Sequence, residues 1–174
     1  LAGDVPAART HAEEALAISR EIGDPVAEAV SLEGLGRLAL REGDVPAATA
    51  LLEQALARQQ AAGDRSGEAS VRYRLAEAQI ALGDLAEAWR EAERALAIVE
   101  AWRSGVAGED LRAFYLAKVQ DYFGLAIDIL MRMHEANPAG GHDRRAFEVA
   151  ERSRARALLE SLGGARLRIR RAVD

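Results

Sequence analysis

The chain has 174 residues, enough for one compact domain and at most two, with 23 basic and 28 acidic side chains giving a formal net charge of −5. It contains no cysteine, which excludes disulfide scaffolds, thiolate-held zinc or iron–sulfur centres and thiol nucleophiles within these residues. No apolar run approaches the roughly 18 residues needed to span a bilayer. Hydrophobic residues make up 49% of the chain but aromatics only 5%, and alanine, with 38 residues, fills the difference. That composition gives high helix propensity and a core in which backbones pack closely without bulky knobs. Lys118 is the sole lysine among the basic residues, and the arginine and alanine bias points to a GC-rich bacterial genome. The opening Leu1-Ala2-Gly3-Asp4 has neither an initiator Met nor a secretion signal, so a cytoplasmic fragment of a larger protein is expected.

Along the chain one unit recurs. Gly3-Asp4-Val5-Pro6-Ala7-Ala8 returns as Gly43-Asp44-Val45-Pro46-Ala47-Ala48, and in looser form as Gly83-Asp84-Leu85-Ala86-Glu87-Ala88, a step of 40 residues both times. A second pair of signals, Gly23-Asp24 and Gly63-Asp64, falls midway. Each Gly-Asp reads as a helix stop in the left-handed conformation followed by an N-cap. Pro6, Pro25 and Pro46 then fall in the first turn of the next segment, where a missing N–H costs nothing. Apolar residues between these marks have helical spacing, which predicts helices near 5–22, 26–42, 46–62, 66–82, 85–104, 108–136 and 143–163. The connections are so short that successive helices must be antiparallel. The expected fold class is all-α, a solenoid of helical hairpins with about seven helices and no β-sheet. We divide it into repeats over 1–104, a last hairpin with one long helix over 105–163, and a linker over 164–174, with Gly163-Gly164 ending the final helix.

The phase within the unit resembles the tetratricopeptide repeat. Leu32-x2-Leu35-Gly36-x2-Ala39 followed by Ala48, Leu52 and Ala55 follows that family's pattern, as do Leu75-Ala76 with Ala88, Ala92 and Ala95, and Ala8, Ala12 and Ala15. The 40-residue period is longer than the usual 34 and the large aromatic positions are lost. The last third, from Tyr115 through Val119-Gln120-Asp121-Tyr122, Ile127–His134, Pro138, Gly141-His142-Asp143, Ala146-Phe147-Glu148 and Glu151–Leu159, resembles the helical repeat preceding a CHAT domain, a caspase-like protease module. This resemblance implies a scaffold that senses or recruits a protein or peptide partner and regulates a C-terminal protease lying outside these residues. A second reading, from another class, is a ligand- or peptide-binding module of a transcriptional regulator. Leu1-Ala2 matches Ala81-Leu82 at the end of a helix. The first helix is therefore expected to lack its hairpin partner and to cover its apolar face by self-association.

Function in such arrays is expected on the face formed by the first helices of successive hairpins. By family phase this places Glu33, Arg37 and Arg41 in one repeat, Ser70, Tyr73, Arg74 and Glu77 in the next, and Asp110, Phe114, Gln120 and Asp121 beyond. Arginine offers forked donors to carboxylates and tyrosine a flat amphipathic surface. The plain alternative is a solvated helix face with Glu33 and Arg37 paired at i,i+4. In the long helix, Tyr115, Val119, Tyr122, Ala126, Ile129 and Met133 form a core stripe, leaving Phe114, Phe123 and Met131 as candidates for an outward patch. From Arg144 onward the chain carries +5, but with one aromatic, Phe147, and no nucleic-acid module, so its arginines are expected to pair with acids on adjacent helices or with a downstream domain. His11, His134 and His142 lack metal-ligand spacing, and Gly34-x-Gly36 lies within a helix. We therefore expect no catalytic residue, cofactor, metal or membrane contact.

Overall fold

The computed structural model describes the backbone of residues 5–101 and 109–173 and the side chains of 6–101 and 119–159. The described residues form seven α-helices and no strand: α1 (Val5–Ile22), α2 (Pro25–Glu42), α3 (Val45–Ala62), α4 (Arg65–Leu82), α5 (Leu85–Ala101), α6 (Glu109–Ala136) and α7 (His142–Val173), with a 3₁₀ turn at Pro138–Gly140. They group into two compact units, residues 1–103 and 104–174. Asp110, Phe114 and Tyr115 have side chains outside the described residues, as do Leu1-Ala2 and the linker side chains beyond 160.

The Gly-Asp punctuation works as its chemistry dictates. Gly23, Gly43, Gly63 and Gly83 all sit at φ between 69 and 82°, the left-handed region. Asp24 Oδ1 accepts from the N–H of Val26 and Ala27, Asp44 Oδ1 from Ala47, Asp64 Oδ1 from Ser66 and Gly67, and Asp84 Oδ1 from Glu87, at 2.9–3.1 Å. Each residue pair thus closes one helix and opens the next in a single step, and the chain reverses at once.

In the first unit α1 packs on α2, α2 on α3, α3 on α4 and α4 on α5, while α2 and α4 also touch. Small residues set these distances. A Cβ at Gly36 would lie 2.8 Å from Leu52 Cγ and 3.4 Å from the Ala48 carbonyl oxygen, so glycine lets α2 lie directly on α3. Ala48, Ala55 and Ala88 are fully buried and Ala95 nearly so. Each contributes one buried methyl, worth about 0.8 kcal/mol. The larger gain is that they bring Leu32, Leu52, Val71 and Leu75 into one cluster, where truncation of a leucine costs roughly 2–5 kcal/mol.

The second unit is an α6–α7 hairpin. Val119, Tyr122, Ala126 and Ile129 are buried on α6, and Ala146, Val149 and Ser153 on α7. Two expectations need correction here. Phe123 is 1% exposed rather than outward-facing. With Ile127 and Leu130 it forms a second apolar stripe at helical spacing, so α6 is apolar on more than one side. Met131 is exposed, as expected. The final helix also does not end at Gly163-Gly164 but continues to Val173. Two glycines cost a helix about 1 kcal/mol each without forbidding its geometry, and the flanking alanines, leucines and arginines are strong helix formers.

One substitution separates packing from propensity. Gln59 is 1% exposed, and a Cβ at Gly67 would lie 2.2 Å from its amide nitrogen. One repeat earlier the same two positions hold Ser19 and Ala27, a smaller residue facing a larger one. Gly67→Ala alone is therefore expected to destabilise by about 1–3 kcal/mol through overpacking. In a Gln59→Ser background it should instead stabilise by about 0.5–1 kcal/mol, the ordinary helix gain. Urea unfolding of the double-mutant cycle checks this; a Gly67→Ala effect of the same sign in both backgrounds contradicts it.

Candidate functional site

The residues expected to face a partner come from α2 and α4, whose sides touch. Ser70 Oγ donates to Glu33 Oε1 at 2.7 Å, tying the two helices across 37 positions of sequence. Arg74 Nη1 donates to Glu77 Oε2 at 2.8 Å, and its guanidinium carbon stands 5.1 Å from the Tyr73 ring centroid. Burial alone would lower the Arg74 pKa, but the Glu77 hydrogen bond and the charges of Glu77 and Glu33 outweigh it and hold the group above its ordinary value. Glu33, Ser70, Tyr73, Arg74 and Glu77 thus form one half-buried polar cluster.

Arg37 and Arg41 follow Glu33 at successive four-residue steps along α2 and are exposed. The i,i+4 pair anticipated between Glu33 and Arg37 does not form, because Glu33 is engaged by Ser70. Neither arginine has an ion pair among the described residues. Gln120 and Asp121 are exposed on α6, in the second unit, and are described there by themselves. The Gln120 side-chain oxygen accepts from Ser153 Oγ at 2.9 Å, so it clamps α6 to α7. On α7 the arginines with described partners, Arg144 and Arg154, pair within their own helix, with Glu148 and Glu151.

Behind the face lies an ion network that the sequence reading missed. Glu28 of α2 accepts from Arg20 of α1 at 3.1 Å and from Arg58 of α3 at 2.9 Å, joining three helices. Forty residues on, Glu68 is held by Arg65 and Arg72 of its own helix, and Arg72 reaches Glu91 of α5 at 2.7 Å. Glu68, Arg72 and Glu91 are all more than nine-tenths buried. Hydrogen bonding from Arg20 lowers the Glu28 pKa, against some desolvation and with help from Arg58. Burial pushes Glu68 up, but hydrogen bonds from Arg72 and Gln60 and the charges of Arg72 and Arg65 more than reverse it. The available signal was the recurrence of Asp-x3-Glu at Asp24–Glu28 and Asp64–Glu68.

With this geometry in hand the comparisons are decisive about family. The sequence pattern of the tetratricopeptide repeat matches residues 1–61 and 28–101. The chain belongs to the tetratricopeptide repeat family. No curated protein matches the sequence. Among solved structures, BtubC (BKLC) from P. vanneervenii is similar over 89% of this chain and 58% of its own, at TM-score 0.70 and 22% identity. This chain therefore spans 58% of the length of BtubC. Two crystal structures of nearly identical TPR-like repeats from Podosopora anserina, named for kinesin light chain, are also similar. One covers 97% of this chain and 90% of that one at TM-score 0.51 and 22% identity; the other covers 96% and 89% at 0.52 and 21%. At these identities the likeness is one of fold. The described residues have the all-α fold of tetratricopeptide solenoids, and repeats of this kind are protein-interaction scaffolds. No described helix is long and apolar enough to cross a membrane.

The ion network sets a pH dependence. Glu28 and Glu68 titrate lower in the folded chain than unfolded, so their contribution is complete at neutral pH and is lost as pH falls below about 4. Arg72→Leu removes the shared partner of the buried Glu68 and Glu91 and leaves them only the exposed Arg65 and Arg94 as cations, which should cost about 1.5–3 kcal/mol at pH 7. Without the Arg72 hydrogen bonds and charge the Glu68 pKa moves up, in the direction its burial favours, so the deficit against wild type should narrow at pH 4. Urea unfolding at both pH values measures this; a deficit independent of pH contradicts it.

Proposed function

We propose that the face shared by α2 and α4 binds a protein or peptide partner, with Glu33, Arg37, Arg41, Tyr73, Arg74 and Glu77 as its contact residues. The observation that carries this reading is the contrast along α2. Glu33 is satisfied by Ser70, while Arg37 and Arg41 stand exposed without ion pairs among the described residues, on a helix that touches the one carrying the Tyr73–Arg74 stack. Two unpaired guanidinium groups on that helix suit a partner that brings carboxylates or carbonyl oxygens. Gln120 and Asp121, exposed on α6, are proposed as contact residues of the second unit by itself.

We further infer a regulatory role. The clusters between Tyr115 and Leu159 that resemble the segment before a CHAT protease favour a full-length protein in which partner binding is passed through the α6–α7 hairpin to that protease. Binding would alter how the last hairpin docks and so license proteolysis.

The test uses the full-length protein. Arg37→Ala, Tyr73→Ala and Arg74→Ala combined should reduce recovery of its co-purifying partner at least tenfold, with helix content by circular dichroism unchanged. Undiminished recovery would remove the face from the account.

A further inference from the structure

The step of 40 residues allows each surface to be compared with its equivalents, and one surface departs from the pattern. The helices α1, α3 and α5 occupy equivalent places. Ala48 and Ala55 on α3, and Ala88 and Ala95 on α5, are at most 1% exposed, beneath the preceding helices α2 and α4. Their counterparts on α1, Ala8 and Ala15, are exposed. The border of this bare face differs as well. Ile18, Ile22, Val26 and Val30 are 57, 67, 40 and 59% exposed, where the next boundary has Arg58, Ala62, Ser66 and Ser70. A capping helix in a repeat array presents polar residues outward. This one presents four branched aliphatics beside two alanines.

We propose that the outer face of α1, together with Val26 and Val30, is the docking site for one amphipathic helix of the α2 kind, apolar at the two positions where α2 has Glu28 and Glu33. The register specifies those positions. Glu28 of α2 meets Arg58 at 2.9 Å, and Glu33 meets Ser70 at 2.7 Å. One repeat earlier, the residues offering those contacts are Ile18 and Val30. A carboxylate set against either aliphatic would lose water and gain no partner, a cost of several kcal/mol for a charge held dry. An aliphatic side chain there would bury apolar area on both sides. A leucine at the place of Leu32 would pack against Ala15, as Leu32 shares one apolar cluster with Ala55.

Charge adds a further requirement. Glu14 and Glu21 are exposed beside the apolar stripe of α1, so the visiting helix should carry basic residues along that edge. A second copy of the chain fits less well. Two-fold pairing matches a patch with itself, which supplies no leucine for Ala15 and brings acidic edges together.

The experiment titrates the 174-residue chain with two fluorescently labelled synthetic peptides. One has the sequence of residues 25–42; the other has the same sequence with Glu28→Leu and Glu33→Leu. Fluorescence anisotropy should show the substituted peptide binding at least tenfold more tightly. Ile18→Glu with Val30→Glu in the chain should abolish that binding while helix content by circular dichroism is kept. Equal affinity of the two peptides, absence of binding by both, or binding indifferent to the chain substitutions would overturn the proposal. So would sedimentation showing a micromolar dimer that Ile18→Glu returns to monomer, since the face would then belong to a second copy.

Discussion

The structure of residues 5–101 depends on how closely one helix can approach the next. Gly36 admits the Leu52 side chain to a distance at which a Cβ would force it to shift. Ala48, Ala55, Ala88, Ala92 and Ala95 do the same along α3 and α5 with one methyl each. At such separations a few leucines and valines interdigitate and supply the apolar core that a chain with 5% aromatics would otherwise lack. Loops of one Gly-Asp pair follow from the same constraint, because helices this close need almost no chain to connect them. The side-by-side contact of α2 and α4, and hence the Ser70–Glu33 hydrogen bond, follows in turn.

On this repeated backbone the side chains diverge, and the divergence is where individual properties arise. Glu28 and Glu68 occupy equivalent places, yet the first bridges three helices through Arg20 and Arg58 while the second joins Arg65 and an Arg72–Glu91 link to α5. Arg37 is the counterpart of Glu77, so an unpaired cation in one repeat becomes the partner of Arg74 in the next. Buried ion pairs of this kind add little net stability over apolar replacements, but removing one member is costly. In this array they join particular helices, Glu28 reaching α1 and α3 and Arg72 reaching α5.

Much of this was readable from the amino acids because the decisive signals are local and repeated. Left-handed glycines, Asp caps and first-turn prolines need only their neighbours to act, so all eight helix ends of α1 to α4 lie within one residue of their expected places. Errors arose where a local signal met a distant partner. Glu33 and Arg37 have ideal spacing for a pair, but Ser70 takes the carboxylate from another helix. Phe123 lies off the main stripe of α6 yet is buried, because the helix has a second apolar stripe that one-face reasoning discounts. Gly163-Gly164 looked like a terminus, although glycine permits a helix end without compelling one. The grouping of Glu33 with Tyr73, Arg74 and Glu77 came from repeat phase; the hydrogen bonds that organise the group required coordinates.

Native-state hydrogen exchange on the isolated chain tests the central claim most directly, since it reads the stability of each helix separately. If neighbours hold the helices together through close-packed small residues, the interior helices α2, α3 and α4, each covered on two sides, should be the most protected of residues 5–101. Amides of α1, with a helix on one side only, should then exchange at least a hundredfold faster than those of α3, roughly 2.8 kcal/mol less protection at 1.4 kcal/mol per tenfold. Equal protection of α1 and α3 in a monomeric sample would show that each helix carries its own stability, and would contradict the account.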